Sequence, residues 1–245
     1  MIKYLQTPFH FDAYKMQQEL LSLQGKKWPL HYQTRHFEGE WSALALRSID
    51  GTSVNPIISP LNDAIYHDTD LLNQSPYFQQ VLKTFQCPLL SVRLLKLSAG
   101  SVIKEHKDAE LFFESGLARF HIPVITNNAV EFYLQGERIH LEEGECWYCN
   151  FNLPHSLANK GETDRIHLVI DAAVNKWIKD LFSSNAVINK KEIDDPEPPG
   201  MDEHTKKETI RHLRMMNTAV SNHLADEMEN SLHRTNDFPT HPPTS

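Results

Sequence analysis

Apolar residues follow two different periods along this chain. Within residues 11–23, Tyr14, Leu20 and Leu21 sit among polar partners at helical spacing, which predicts a first helix. Residues 41–47 (WSALALR) read as a strand, residues 51–61 with Pro56 and Pro60 as a loop, and residues 76–84 as a second helix. From residue 89 the period changes to two. Leu89–Leu97, 117–126, Val130–Leu134, 138–141, 145–151 and 165–171 are short and rich in β-branched or aromatic residues. Turn-prone pairs such as Ala99-Gly100, Asn127-Asn128, Gln135-Gly136, Glu143-Gly144 and Lys160-Gly161 separate them. Closely spaced strands of this kind predict an all-β core, either a barrel or a double-sheet jelly roll, whose interior can hold a small site.

After residue 171 the pattern turns helical again, over about 174–182. Residues 194–200 (DDPEPPG) can continue neither helix nor strand and read as a linker. Beyond it Ile210, Leu213, Met216, Val220 and Leu224 recur at helical spacing within 203–229. The expected organisation is a jelly-roll domain with N-terminal helical elements over residues 1–185. Residues 186–245 would add a linker, a helical appendage that flanks the barrel or forms a homodimer contact, and a loose tail.

Composition narrows the class. A chain of 245 residues with a hydrophobic share of 40% buries one full core. Its formal net charge of -8 argues against a broad nucleic-acid footprint, which wants a basic surface. Met1-Ile2-Lys3-Tyr4 leads into polar sequence, and no stretch approaches about 18 apolar residues, so neither a signal peptide nor a membrane span is expected. Three cysteines, Cys87, Cys146 and Cys149, fit a reducing cytoplasm better than a disulfide framework. Cys146 and Cys149 lie on one predicted strand with their sulfurs on opposite sides, and read as core or lining residues. A redox dithiol would place its first cysteine at a helix N-terminus.

Candidate chemistry enters at His106-Lys107-Asp108. On an extended segment the first and third residues point the same way and Lys107 points away. His155 follows Asn152-Leu153-Pro154 at a strand end, where a turn can aim it back across the barrel. Two imidazoles and one carboxylate leave Fe(II) adjacent positions open for a cosubstrate and oxygen. The same three ligands with a water also suit catalytic zinc, and spacing does not separate the two metals. Arg165 and His167 share a face with Val169, while Ile166, Leu168 and Ile170 take the other. If the apolar row packs outward, Arg165 enters the cavity, where a guanidinium is costly unless it meets an anion. Its planar fork fits a carboxylate. The same parity sets Arg119 and His121 opposite Phe120 and Ile122. These two would meet either a ligand or an internal carboxylate (Glu131, Glu145 or Asp171), and the residues alone leave both open.

Four stretches carry a resemblance to a known family: LLKLSAGSVIKEHKD (94–108), ARFHIPVITN (118–127), VEFYLQGERIHLEEGECWY (130–148) and NLPHSLANKGETDRIHLVID (152–171). They resemble the aspartyl/asparaginyl β-hydroxylase superfamily of Fe(II)- and 2-oxoglutarate-dependent dioxygenases. The similarity is greatest to its small bacterial members, which include free-proline hydroxylases. The step from His155 to Arg165, with Asn159 between, is specific in combination. The resemblance implies a cupin-like double-stranded β-helix with His106, Asp108 and His155 as iron ligands. It implies that Arg165 grips the distal carboxylate of 2-oxoglutarate, that His121 lies near the metal-proximal one, and that Arg119 turns toward substrate. The implied reaction consumes O2 and 2-oxoglutarate, hydroxylates an unactivated C–H bond, and releases succinate and CO2.

An amino-acid-like substrate would need its carboxylate neutralised. Arg119, Arg93 and Arg47 are the candidates, and Trp147 would shape the apolar part of the pocket. Three readings follow. The first is hydroxylation of a free or lightly modified amino acid. The second is a peptidyl aspartyl/asparaginyl-type β-hydroxylase with an open groove. The third is a non-catalytic cupin-like module that binds a small molecule and retains a metal.

Overall fold

The computed structural model describes residues 1–23, 25–31, 36–56, 65–108 and 111–194, with scattered positions between 207 and 229. Two compact units result, Met1–Ile193 and Asp194–Ser245.

In the first unit the strands, in chain order, are β1 (Ile2–His10), β2 (Phe37–Glu38), β3 (Trp41–Ser48), β4 (His67–Asp68), β5 (Leu89–Leu97), β6 (Val102–His106) and β7 (Leu117–Ile125). They continue as β8 (Val130–Leu134), β9 (Glu137–Ile139), β10 (Glu145–Cys149), β11 (His155–Asn159), β12 (Arg165–Ala173) and β13 (Lys190–Glu192). The helices are α1 (Ala13–Ser22), α2 (Asp70–Asn73), α3 (Pro76–Lys83) and α4 (Lys176–Ser183). An eight-stranded sheet has the order β13-β1-β10-β7-β12-β5-β3-β4, and a five-stranded sheet the order β2-β6-β11-β8-β9. All pairings are antiparallel. This is the two-sheet jelly roll with flanking helices that the strand spacing predicts.

The period of two explains how the large sheet divides its faces. Ile166, Leu168 and Ile170 of β12 join Phe120, Ile122 and Val124 of β7 and Leu94 of β5 in an outer core. There they meet Met16 and Leu20 of α1, Phe78 and Val81 of α3, and Ile178 and Phe182 of α4. Each such side chain contributes about 1.5–3 kcal/mol on burial, which anchors β12 in a register whose inner row is polar. The α3 N-terminus has no side-chain cap from its own Ser75. Glu19 of α1 accepts the N–H groups of Tyr77 and Phe78 instead, locking the two helices together. Between the sheets lies a second core that includes Trp41, Leu97, Ile103, Phe132, Leu134, Trp147, Phe151 and Leu157.

Three expectations need correction. The first ten residues, read as polar, form strand β1. Its polar side chains are buried because each has a partner: Lys3 pairs with Glu137, Gln6 with Glu145, and the Thr7 hydroxyl donates to the Cys146 carbonyl. The first compact unit also runs past the break placed after residue 185, because β13 pairs with β1. Finally, β9 ends at Ile139, short of the expected end at residue 141, and the chain turns into β10 through Gly144, where an added Cβ would stand 2.3 Å from the Phe11 carbonyl oxygen at a φ of +83°. Only glycine permits that approach.

In the second unit every described position between 207 and 229 is helical, and Arg214 pairs with Asp226 and Glu229. The expected linker from residue 195, the tail and most of the helical appendage lie outside the described residues, as does loop 57–61.

Candidate metal centre and anion pocket

β6 and β11 are neighbours in the five-stranded sheet, and their register sets His106 directly opposite His155. The two rings stand 4.2 Å apart, centroid to centroid. β6 stops at His106. Asp108 follows in a loop whose course is fixed by its N–H bond to the Phe151 carbonyl at 2.9 Å. His106 Nδ1 is 2.8 Å from the Lys104 carbonyl oxygen, and His155 Nδ1 is 3.0 Å from that of Leu153. A carbonyl only accepts, so both Nδ1 atoms carry a proton, and in the neutral imidazole this leaves the lone pair on Nε2. His106 Nε2 lies 3.8 Å from Asp108 Oδ1. The ligand atoms of His106, Asp108 and His155 all fall within 4.8 Å of one another, and among the described residues no other group forms such a cluster. The second carboxylate oxygen, Oδ2, accepts from Arg119 Nη1 at 2.6 Å.

Electrostatics favour the ligating forms. Burial pushes the His155 pKa down to about 4, against the opposing Leu153 bond, so its imidazole is neutral near pH 7. Burial alone would raise the pKa of Asp108. Arg119 and the two histidines outweigh it and hold the carboxyl below its ordinary range.

The facing wall belongs to the eight-stranded sheet. Register sets Val169 beside His121, Asp171 beside Arg119, and Val169 beside Arg93 on its other side. Arg119 donates from Nε to Asp171 Oδ1 at 2.6 Å and from Nη2 to Oδ2 at 3.2 Å, while Arg93 Nη2 reaches the same Oδ2 at 2.9 Å. Arg165 differs. Its Nη2 lies 2.8 Å from His167 Nδ1, an acceptor in that bond, and His121 Nδ1 then donates to the same atom at 3.4 Å. Arg165 Nε and His121 Nε2 are both buried with no partner. Burial lowers the Arg165 pKa to about 9, with no carboxylate offsetting it. For Arg119 burial acts in the same direction, but Asp171 and Asp108 reverse it and raise the pKa. Among the described residues, Arg165 is therefore a buried cation of this wall without an anion.

The four residues expected to contact substrate have these surroundings. Asp171 pairs with both Arg119 and Arg93, and for Arg119 this is the internal pairing left open from sequence. Arg47 lies past a register shift at the edge of the sheet, where it pairs with Asp68 and donates to the Leu89 carbonyl. Trp147 faces inward opposite His121, but its indole N–H donates to Glu145 at 2.8 Å and its ring packs by Tyr4. Its surroundings are those of a core residue.

Sequence reasoning missed His31. It is buried and stacked on Trp41, with ring centroids 3.5 Å apart. Burial, then the nearby Arg93 cation, pushes its pKa down to about 3. His31 precedes the stretches that carry the family resemblance and lies in no periodic segment, so nothing in the sequence marked it. His36, whose ring stands 5.1 Å from that of His106, was missed for the same reason.

With this geometry in hand, comparison with known proteins is decisive on one point. The family model for aspartyl/asparaginyl beta-hydroxylase matches residues 11–174. The chain belongs to that family. Among its relatives is the L-proline cis-4-hydroxylase of Rhizobium meliloti (strain 1021), 28% identical over 163 residues. The match covers 66% of this chain and 57% of that protein, so the chain spans little more than half the length of this relative. Similar solved structures include HygX from Streptomyces hygroscopicus with nickel and 2-oxoglutarate bound. It is 13% identical, with 71% of this chain and 84% of that one covered and a TM-score of 0.46. A 2OG-Fe(II) oxygenase family oxidoreductase from Burkholderia pseudomallei is 14% identical, with coverage of 71% and 88% and a TM-score of 0.44.

Proposed function

We propose that this member of the family is an Fe(II)- and 2-oxoglutarate-dependent hydroxylase of a free or lightly modified amino acid. The observation that carries the proposal is Arg165, a buried guanidinium without a carboxylate partner among the described residues. A cation so placed is unfavourable by several kcal/mol until an anion arrives. It shares its wall with His121, whose Nε2 is also unpartnered. A dicarboxylate would give the Arg165 guanidinium its anion, a need that a zinc hydrolase would have no reason to bury.

His106, Asp108 and His155 would hold the iron, Arg165 the distal carboxylate of 2-oxoglutarate, and His121 the neighbourhood of the proximal one. When bound together, the metal, the cosubstrate and O2 supply an oxidant for an unactivated C–H bond, with succinate and CO2 as co-products. The chain's own task is placement. Arg93 points from β5 beside a small apolar patch of Ala43, Leu95 and Val169. A guanidinium next to a compact apolar surface suits an amino-acid carboxylate with a small hydrocarbon body. The name of the L-proline cis-4-hydroxylase relative supports the same substrate class. Peptide hydroxylation is less well served, because Arg119, the residue looked to for an acidic peptide, is engaged by Asp108 and Asp171. No helix among the described residues is long and apolar enough to cross a membrane. We extend the proposal to a cytoplasmic setting and to a homodimer through residues 203–229, which fractionation and sedimentation velocity would check.

A succinate-release screen over free amino acids, N-acylated amino acids and short peptides tests the function, with mass detection of a product heavier by one oxygen atom. Turnover with amino acids that is not improved by embedding them in a peptide is the expected result. Preference for long peptides would replace the first reading by the second. Metal binding without substrate-dependent succinate would favour a binding module.

A further inference from the structure

Four charged side chains form one continuous path from three adjacent strands of the large sheet to the candidate metal centre. Arg93 on β5 meets Asp171 on β12, Asp171 meets Arg119 on β7, and Arg119 meets Asp108 beyond β6. Arg93 and Asp171 are 1% and 2% exposed and Arg119 is 6% exposed, so solvent does not compete for the bonds among these three, whereas Asp108 at the end of the path is partly exposed. The middle link is the most constrained. Asp171 takes the Nε–Nη2 edge of Arg119 with both oxygens, and a bidentate pair of this kind fixes the plane of the guanidinium. With that plane fixed, Nη1 is directed at Asp108 Oδ2 alone. Asp108 Oδ1 is left on the side of His106 Nε2.

We propose that Asp171 is a positioning residue for the metal, acting through Arg119 so that Asp108 offers one oxygen to the ion and keeps the other engaged. This rests on the reading of His106, Asp108 and His155 as ligands. Remove Asp171, and Arg119 has one carboxylate left within reach. A guanidinium free to turn would take Asp108 by both oxygens, in direct competition with the ion. The effect would reach the metal from a residue that touches neither metal nor substrate. Arg119 is the partner one step removed from the ligand, a place where a change typically alters metal affinity by about 10–100-fold, and Asp171 acts by turning it.

Cobalt(II) titration of the full chain, followed by its visible d–d absorption, tests the inference without turnover. Asp171→Asn should bind Co(II) about tenfold or more weakly and change the shape of the absorption envelope. Arg93→Met, which leaves the Asp171–Arg119 pair intact, should bind like the wild type. The double variant Arg93→Met with Asp171→Asn removes one buried charge of each sign. If Asp171 merely balances charge, the double variant regains wild-type affinity, and the inference is overturned. If Asp171 positions Arg119, the double variant stays weak while its thermal melt remains cooperative. Should Asp171→Asn alone fail to fold, the double variant decides. Wild-type binding that matches Asp171→Asn overturns the positioning role only, whereas no Co(II) binding by the wild type overturns the ligand set as well.

Discussion

Arg119 and Arg165 are buried to the same extent, yet among the described residues Arg119 has two carboxylate partners and Arg165 has none. On the proposed function, that contrast makes Arg165 the residue left for a ligand, while Arg119 is engaged internally. Replacing Arg165 by Met should raise the 2-oxoglutarate requirement by about tenfold or more, as expected for losing a charge-assisted bond of at least about 1.4 kcal/mol. The thermal midpoint of the metal-free protein should stay level or rise, because an unpaired buried cation is gone; a lowered midpoint would speak against the assignment. The buried histidines make a separate prediction. Burial, then Arg93, pushes the His31 pKa down to about 3, and burial with Arg165 pushes those of His121 and His167 well below the ordinary value. The unfolded chain therefore binds these protons first. Their contribution to stability is full above about pH 6.5 and falls as the pH drops, with a slope of up to ~1.4 kcal/mol per pH unit for each group. Urea melts of the metal-free protein between about pH 7 and about pH 5 should show the midpoint falling with acid; a flat midpoint would contradict neutral burial. The Arg165–His167 face was legible from alternation alone. Asp171 was legible only as one of three carboxylates, because parity gives a face and not a partner.

At the scale of elements, strands built on clean alternation announced themselves. Leu89–Leu97 and Val130–Leu134 begin and end where their patterns do, and β12 runs two residues beyond its expected end. β1 was hidden because Lys3, Gln6 and Thr7 are buried polar residues, a combination that depends on partners far along the chain. The turn joining β11 to β12 sets the step from His155 to Arg165, and Asn159 holds it. Its side-chain amide donates to the Leu97 carbonyl at 3.0 Å and to the Thr163 carbonyl at 2.8 Å. Asn159→Ala should destabilise the fold by about 1–3 kcal/mol in denaturant melts, while leaving the metal ligands in place. Loss of metal binding at unchanged stability would assign Asn159 a different role.

For the whole molecule, the two sheets divide the labour. The five-stranded sheet brings His106 and His155 together, and the eight-stranded sheet supplies Arg165, His121 and the Arg93–Asp171–Arg119 path. Helices cover the outer face of the large sheet, leaving the polar inner wall for chemistry. The central claim is that these walls form one Fe(II) and 2-oxoglutarate site. Anaerobic addition of Fe(II) and 2-oxoglutarate tests it most directly, by the weak visible charge-transfer band of a chelated cosubstrate. The account predicts the band in the wild type and its loss in His106→Ala, Asp108→Ala and His155→Ala; a band that persists in all three variants would contradict it.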